Sequence, residues 1–238
     1  MSKNIKKNIK AFKVDLDSRE NQSILKSSTR CFNNQAHQIN EATKKIYELI
    51  KNAKHSNDGI VLNHNKIKEA FFSPFKPQLK NAQVFLSHSH ADKNEALKVK
   101  GYLEEDLDAE CVFIDSLFWD YKDDVLNKLA EYDDISGIED AFTLILRESL
   151  KCMIKKCPYF VFLQSKNSVS NQGLSHHQDL LKITYSAWIY EELKIAHSIS
   201  ESRSIPMMES MQVFHDISPF LKSFETITLK KLSQQINS

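Results

Sequence analysis

Short apolar runs alternate with longer, helix-like segments through the last two thirds of the chain. Three of these runs, at residues 83–87, 111–114 and 158–163, are apolar at consecutive positions and rich in Val and Phe. Consecutive apolar residues are typical of strands that are covered on both faces of a sheet. The segments between the runs carry apolar residues at three- and four-residue spacing, which predicts helices. This alternation predicts an α/β fold with a parallel sheet.

The remaining elements of this part of the chain follow from the same patterns. Helices are predicted at residues 92–107, 121–132, 138–155 and 186–199, and candidate late strands at 211–214 and 225–229. The polar stretch 164–184 is predicted to be a loop.

A different pattern precedes residue 80. We expect residues 1–20 to be weakly ordered, residues 21–55 to be helical, and residues 63–72 to form a short helix docked through Phe71, Phe72 and Phe75. Two prolines, Pro74 and Pro77, then interrupt the chain. We therefore predict two domains: a helical N-terminal region (1–80), which is a candidate for oligomerisation, and an α/β domain (81–238).

Composition narrows the class of protein. Apolar residues make up 41% and charged residues 26% of the chain, as in ordinary globular domains. No run approaches the ~18 apolar residues of a membrane helix, so no membrane partner is expected. The basic start lacks the apolar segment of a secretory signal, and the scattered cysteines form no CxxC pair, which favours a reduced, cytoplasmic setting. With only four glycines, neither GxGxxG nor a P-loop can be written.

Charge is distributed unevenly along the chain. Residues 1–80 hold 16 Lys and Arg against 7 Asp and Glu, whereas residues 81–238 hold 16 against 24. A basic arm of this kind could contact nucleic acid or an acidic partner. Dense Lys/Arg runs are absent, however, so a solvated helical face or docking on the acidic half is the favoured interpretation. A nucleic-acid partner is not expected.

Polar residues follow the first predicted strand directly. Residues 87–90 read Ser-His-Ser-His at the carboxyl end of that strand, where ligands bind in open parallel sheets. His88, His90 and Asp92 match most of the HxHxDH zinc signature of metallo-β-lactamase-type hydrolases. Lys93 replaces the last His, which disfavours a metal site. A metal-free ligand loop is the preferred interpretation, and a plain turn with Asp92 capping the next helix is the other alternative.

A second stretch, Cys111-Val-Phe-Ile-Asp115, also ends a predicted strand in a carboxylate. Asp115 is therefore expected to face the same crevice as Ser87. Trp119 follows in an aromatic loop. Contact with a ligand and packing beneath the next helix are equally good explanations for this tryptophan.

The third stretch begins a helix, with Ser186 as its predicted N-cap. Trp188 and Glu192 are four residues apart and lie on one helix face, whereas Glu191 points about 100° away. A ring beside a carboxylate can hold a flat substrate and act on an attached sugar. Spacing alone favours a simpler explanation, in which the tryptophan is in the core and the glutamate is solvated.

Together the three stretches resemble the Toll/interleukin-1 receptor (TIR) domain family, especially its bacterial members. The matching segments are Phe85-Leu-Ser-His-Ser-His-Ala-Asp-Lys93, Val112-Phe-Ile-Asp115 and Ser186-Ala-Trp-Ile-Tyr-Glu-Glu-Leu193. They occur in the family's order and on the expected elements, and the resemblance covers residues 81–230. An acidic stretch at 131–134 and a long segment at 164–184 depart from the compact family form.

The resemblance implies a flavodoxin-like sheet and cleavage of the nicotinamide–ribose bond of NAD⁺, which is the substrate and not a cofactor. It implies ADP-ribose or a cyclic ADP-ribose isomer as product, formed by a homo-oligomer. It also implies a role in bacterial antiphage defence, as in Thoeris systems, where a downstream effector senses the product.

The resemblance also implies the residues of the site. Glu192 takes the catalytic position and no metal is needed; the expected substrate-binding residues are Trp188, Ser87, His88, Asp115 and Trp119. A non-catalytic TIR interaction module is the main alternative, and a metal-dependent hydrolase that uses the HxHxD stretch is a weaker one.

Overall fold

The computed structural model describes residues 9–28, 36–52, 55–56, 59–60, 63–73, 80–107, 111–114, 116–131, 136–172, 181–201 and 215–237. The strands are β1 (Lys10–Asp15), β2 (His55–Ser56), β3 (Gly59–Ile60), β4 (Val84–Ser87), β5 (Val112–Ile114), β6 (Tyr159–Gln164), β7 (Ser170–Gln172), β8 (Leu181–Thr184), β9 (His215–Asp216) and β10 (Glu225–Thr226). The helices are α1 (Arg19–Ser27), α2 (Ala36–Lys51), α3 (His64–Phe72), α4 (Lys93–Leu107), α5 (Ser116–Ala130), α6 (Ser136–Lys156), α7 (Ala187–Glu201), α8 (Ser218–Ser223) and α9 (Leu229–Ile236).

The chain divides into two compact units. The first unit combines Met1–Cys31, Ala82–Ile114 and Lys151–Ser238, and the second combines Phe32–Asn81 and Asp115–Leu150. Each unit therefore contains segments from both sides of residue 80.

The first unit is built on a five-stranded sheet in the order β10-β1-β6-β4-β5, and its strand pairs are all parallel. The predicted α/β class with a parallel sheet is confirmed. Counted from β4, the order β5-β4-β6 is the 2-1-3 part of a flavodoxin-like sheet. The next position is filled by β1, from the start of the chain, and the last by β10, from near its end.

Aromatic packing along one row of the sheet explains why these short runs become strands. Phe85 of β4 lies in register with Phe113 on one side and Phe160 on the other. The ring centroids are 5.4 Å and 5.7 Å apart, respectively. All four residues of β4 are buried, as expected for a central strand covered on both faces.

Strand β1 corrects the expectation of weak order for residues 9–20, whereas residues 1–8 lie outside the described residues. Phe12 and Val14 are buried in the sheet, and β1 pairs with β6 over six residues. The sequence here alternates apolar residues with Lys10 and Lys13, so it lacks the continuous apolar run that identified the other central strands. Pairing on both sides supplies the stability that the local pattern does not predict.

The expectation that residues 164–184 form a loop is also wrong in part. Strands β7 and β8 lie in this segment and, with β9, form a three-stranded antiparallel sheet. These strands are short and largely polar, and β-structure in such segments depends on the partner strand more than on the residues themselves. The candidate strand 211–214 lies outside the described residues.

The other predicted elements agree with the structure to within a few residues. Helices α3, α4, α6 and α7 follow the predicted segments, and α5 begins five residues earlier than expected, at Ser116. The single helix predicted at 21–55 is wrong in part: this stretch holds two helices, α1, which begins two residues earlier and ends with its C-cap at Ser28, and α2. Among the described helices the longest, α6, has 21 residues, and none has an apolar stretch that could cross a membrane.

The second unit is formed around Phe71 of α3. Its ring lies 5.0 Å from Phe72, 4.8 Å from Tyr121 and 5.0 Å from Phe142, measured between centroids. The Tyr121 hydroxyl donates to the Phe71 carbonyl oxygen at 3.2 Å, and burial raises the pKa of this phenol. Phe71 and Phe72 dock α3 as predicted, whereas Phe75 lies outside the described residues.

Candidate functional site

The carboxyl ends of β1, β4 and β6 lie at one edge of the main sheet, because the strands are parallel. From β4 the chain passes to β5 on one side of β4 and then returns to β6 on its other side. The topological switch point therefore lies between β4 and β6. Ligands of open α/β sheets bind at such a point. Ser87 and His88, two of the residues chosen from the sequence, lie at the end of β4.

The strand register determines which side chains share a face here. Ser87 is aligned with Phe162 of β6, and Phe162 is aligned with Lys13 of β1. Side chains in one such row project from the same face of a parallel sheet. Helix α7 contacts β1 and reaches Ser87, so it covers this face.

Glu192 of α7 meets Ser87 directly. The Ser87 hydroxyl donates to Glu192 Oε2 at 2.5 Å, although 105 residues separate them in the sequence. Ser87 is 0% exposed and Glu192 is 1% exposed. The structure therefore joins the first and third sequence motifs through a hydrogen bond that is closed to solvent.

The start of α7 sets the direction of Glu192. Ser186 accepts a hydrogen bond from the Ile189 N–H at 3.2 Å, which confirms the predicted N-cap. The Ser186 N–H in turn donates to Thr184 Oγ1 of β8 at 3.2 Å, so the first turn is held to the smaller sheet. Beyond the cap, helical spacing places Glu192 on the buried face together with Ile189 and Ala196.

The two adjacent glutamates occupy different surroundings. Glu191 is partly exposed, and its Oε2 lies 3.9 Å from the Nζ of Lys194. Trp188, one turn before Glu192, is also partly exposed. Glu192 is thus inside the protein and Trp188 nearer the surface, which is the reverse of the arrangement that spacing alone favours, with the tryptophan in the core and the glutamate solvated.

Asp92 joins the two loops at the switch point. Its Oδ2 accepts from Ser165 Oγ at 2.5 Å, and its Oδ1 accepts from Asn167 Nδ2 at 2.6 Å. One alternative from the sequence was that Asp92 caps α4, but both carboxylate oxygens accept hydrogen bonds from the loop that follows β6. The reason is tertiary, since only the sheet order brings this loop beside the end of β4.

The three residues of the HxHxD stretch occupy different environments. His88 is buried, His90 is exposed, and the Asp92 oxygens accept from Ser165 and Asn167. Within the described part of the chain, no group of three or more His, Cys, Asp or Glu residues is placed to hold a metal ion. The geometry therefore does not support the metal-dependent alternative.

The described part of the structure includes no side chain for two of the predicted site residues. Asp115 lies outside the described residues. Trp119 belongs to α5 of the second unit, and only its backbone is described, so its two explanations both stand.

Several polar residues of this edge were missed from the sequence. Ser165 and Asn167 follow the apolar strand β6 as Ser87 follows β4, so the same signal would have found them. Asp17, whose Oδ2 accepts from the Lys166 N–H at 3.3 Å, follows β1, which was not predicted.

A half-buried cation on the same face was missed as well. Lys13 lies in the row of Ser87 and Phe162, and its Nζ donates to the Leu221 carbonyl oxygen at 2.5 Å. Burial, and secondly the charge of Lys182, lower the pKa of this amine. Lys13 was overlooked because residues 1–20 were expected to be weakly ordered, so no strand end was sought there.

No protein-family model, curated protein or solved structure matches the chain. The geometry around Glu192 and the sequence motifs are therefore the basis for assigning a function.

Proposed function

We propose that the chain is a TIR-type NAD⁺ nucleosidase or ADP-ribosyl cyclase that uses Glu192 as its catalytic carboxylate. The observation that carries the proposal is the 2.5 Å hydrogen bond between Ser87 and Glu192. Two motifs chosen separately from the sequence meet there, beside the switch point of a parallel sheet. This is the kind of position where α/β proteins bind nucleotides.

The chemistry suits a single carboxylate. Loss of nicotinamide from NAD⁺ leaves a ribose with oxocarbenium character, as in glycoside hydrolysis. Nicotinamide leaves as a neutral molecule and therefore needs no general acid. A carboxylate beside the ribose stabilises the developing positive charge and accepts hydrogen bonds from the ribose hydroxyls. Trp188, on the same helix face and partly exposed, is suited to stack on a flat ring of the substrate.

Burial of Glu192 bears on when the reaction takes place. At 1% exposure its carboxylate cannot touch a substrate until a neighbouring element moves. We therefore propose that assembly of a homo-oligomer opens the site, and that the product, ADP-ribose or a cyclic isomer, signals to an effector in bacterial antiphage defence. The free thiols of Cys111 and Cys157 fit a reducing, cytoplasmic setting.

One observation favours the alternative of a non-catalytic interaction module. A buried Glu192 that accepts from Ser87 could serve only to hold α7 against β4, with no catalytic role. The two functions differ in whether NAD⁺ is consumed, so an activity measurement separates them.

The test compares three proteins: wild type, Glu192→Gln and Glu191→Gln. Each is incubated with NAD⁺ over a range of protein concentrations, with and without chemical cross-linking of oligomers, and released nicotinamide is measured by chromatography. We expect wild type and Glu191→Gln to release nicotinamide at similar rates, because Glu191 lies off the buried face. Glu192→Gln should be slower by at least about a hundredfold.

Two results would overturn the proposal. One is equal release by wild type and Glu192→Gln. The other is no release by folded wild type at any concentration or degree of cross-linking, which would leave the interaction module as the better description.

A further inference from the structure

Ser87 differs from the other candidate substrate ligands in how completely it is enclosed. It ends β4, the strand with β5 on one side and β6 on the other, and its side chain is 0% exposed. Its hydroxyl hydrogen is directed at Glu192 Oε2. A hydroxyl that is both enclosed and already donating to a protein carboxylate is poorly placed to recognise a substrate.

The neighbours of Glu192 on the buried face of α7 are largely apolar, whereas the charged or titratable groups of the same region are Glu191 and Lys194 of α7, His88 after β4 and Lys13 of β1. Ile189, Leu193 and Ala196, its neighbours along α7, are buried, and Phe162 stands next to Ser87 in the same row of the sheet. Such surroundings favour the neutral form of a carboxyl group, whereas a donated hydrogen bond favours the charged form. The hydroxyl of Ser87 therefore opposes the effect of burial on Glu192.

The hydrogen bond also restricts the geometry of the carboxylate. Glutamate has three side-chain torsions, and a donor from the central strand selects the rotamers that place Oε2 at the end of β4. Since β4 pairs with β5 on one side and with β6 on the other, it supports the serine on a strand that is held from both sides.

We infer that Ser87 is a positioning residue, which holds the Glu192 carboxylate at the carboxyl end of β4 through its hydroxyl, and that it does not bind substrate. The inference rests on the proposed function, because only that function makes Glu192 a catalytic residue. The link between Ser87 and Glu192 itself can be measured without any catalysis.

The first experiment needs no substrate. In protein labelled with ¹³C-glutamate, the carboxyl signal of Glu192 is identified by its loss in Glu192→Gln and is followed with pH in wild type, Ser87→Ala and Ser87→Thr. We expect the titration midpoint of Glu192 to rise by about one pH unit in Ser87→Ala, because the charged form loses a donor. Ser87→Thr keeps the hydroxyl and should restore the wild-type midpoint.

The second experiment measures NAD⁺ cleavage by the same variants. Ser87→Ala should lower kcat by about tenfold to a hundredfold while KM stays constant, and the acid limb of the kcat profile should move to higher pH. Ser149→Ala is the matched control, because Ser149 is a buried serine of the second unit whose hydroxyl bonds to the Ile145 carbonyl oxygen of its own helix. It should leave kcat, KM and the pH profile unchanged.

The outcomes separate the two claims. An unchanged Glu192 midpoint in Ser87→Ala overturns the positioning role, and so does a rise in KM at constant kcat, which would make Ser87 a substrate ligand. If the midpoint moves but wild type never cleaves NAD⁺, the positioning of Glu192 stands and only the proposed function fails.

Discussion

Asp92 and Ser165 join the ends of β4 and β6 through a hydrogen bond of 2.5 Å from the serine hydroxyl to the carboxylate. Asp92 is only 4% exposed, and its second oxygen accepts from Asn167. The switch point of the sheet is thus bridged by one side chain. This bridge holds the two loops that lie nearest to Ser87 and Glu192 in a fixed relation.

Replacing Asp92 with Asn should loosen this bridge. An amide oxygen can still accept from Ser165, but the amide nitrogen would face the donor of Asn167 and leave it unsatisfied. We expect a loss of about 1–3 kcal/mol in the free energy of unfolding, measured with urea. Asp123→Asn is the control, because the Asp123 side chain is 64% exposed and lies 3.1 Å from Lys122 Nζ, and it should change stability by less than about 0.5 kcal/mol. Equal losses in both variants would show that Asp92 does not bridge the loops.

Among the described residues of the second unit, we expect truncation of Phe71 to cause the largest loss in the free energy of unfolding. It is fully buried and packs against Phe72, Tyr121 and Phe142, so Phe71→Ala leaves a cavity that these rings cannot fill. We expect a loss of about 3–5 kcal/mol, with faster amide hydrogen exchange in α3 and α5. Leu144→Ala provides the comparison, because Leu144 is 56% exposed and should cost little. A Phe71→Ala protein as stable as Leu144→Ala would contradict this packing.

The buried thiols predict how stability depends on pH in the alkaline range. Burial raises the pKa of Cys111 from 9.0 to about 11 and that of Cys157 from 9.0 to about 12. Above pH 9 the unfolded chain releases these protons while the folded chain keeps them, so stability falls as pH rises from about 9 towards 11–12. The measurement is urea unfolding at pH 8 and pH 10.5 for wild type and for the Cys111→Ser, Cys157→Ser double variant. The decrease between the two pH values should be smaller in the variant, and an identical decrease would contradict the prediction.

Alkylation at neutral pH is an independent test of the burial of the Cys111 and Cys157 thiols. Cys152 is exposed, whereas Cys111 and Cys157 are buried and held protonated. Iodoacetamide should label Cys152 in the folded protein and reach the other two only in denaturant, as read by peptide mass spectrometry. Early labelling of Cys157 would show that the start of β6 opens more readily than its burial indicates.

Local patterns predicted much of the first unit. The continuous apolar runs of β4, β5 and β6 could be predicted as strands, because a strand covered on both faces needs apolar residues at most positions. Helix α7 and its cap followed from the spacing of its apolar residues and from Ser186, since capping depends on only a few neighbouring residues. By contrast, β1 and β7 lack a local signature of this kind, and their strands depend on partners that are far away in the sequence.

The sequence by itself determined the α/β class, the polar ends of the strands and the choice of Glu192 over Glu191, because periodicity and helical spacing are properties of neighbouring residues. Only the tertiary structure decided that β1 enters the main sheet, that Asp92 bonds to Ser165, and that Ser87 donates to Glu192 inside the protein. Each of these contacts joins segments that are more than 70 residues apart. Burial and strand order arise from the packing of the whole chain, and no local pattern records them.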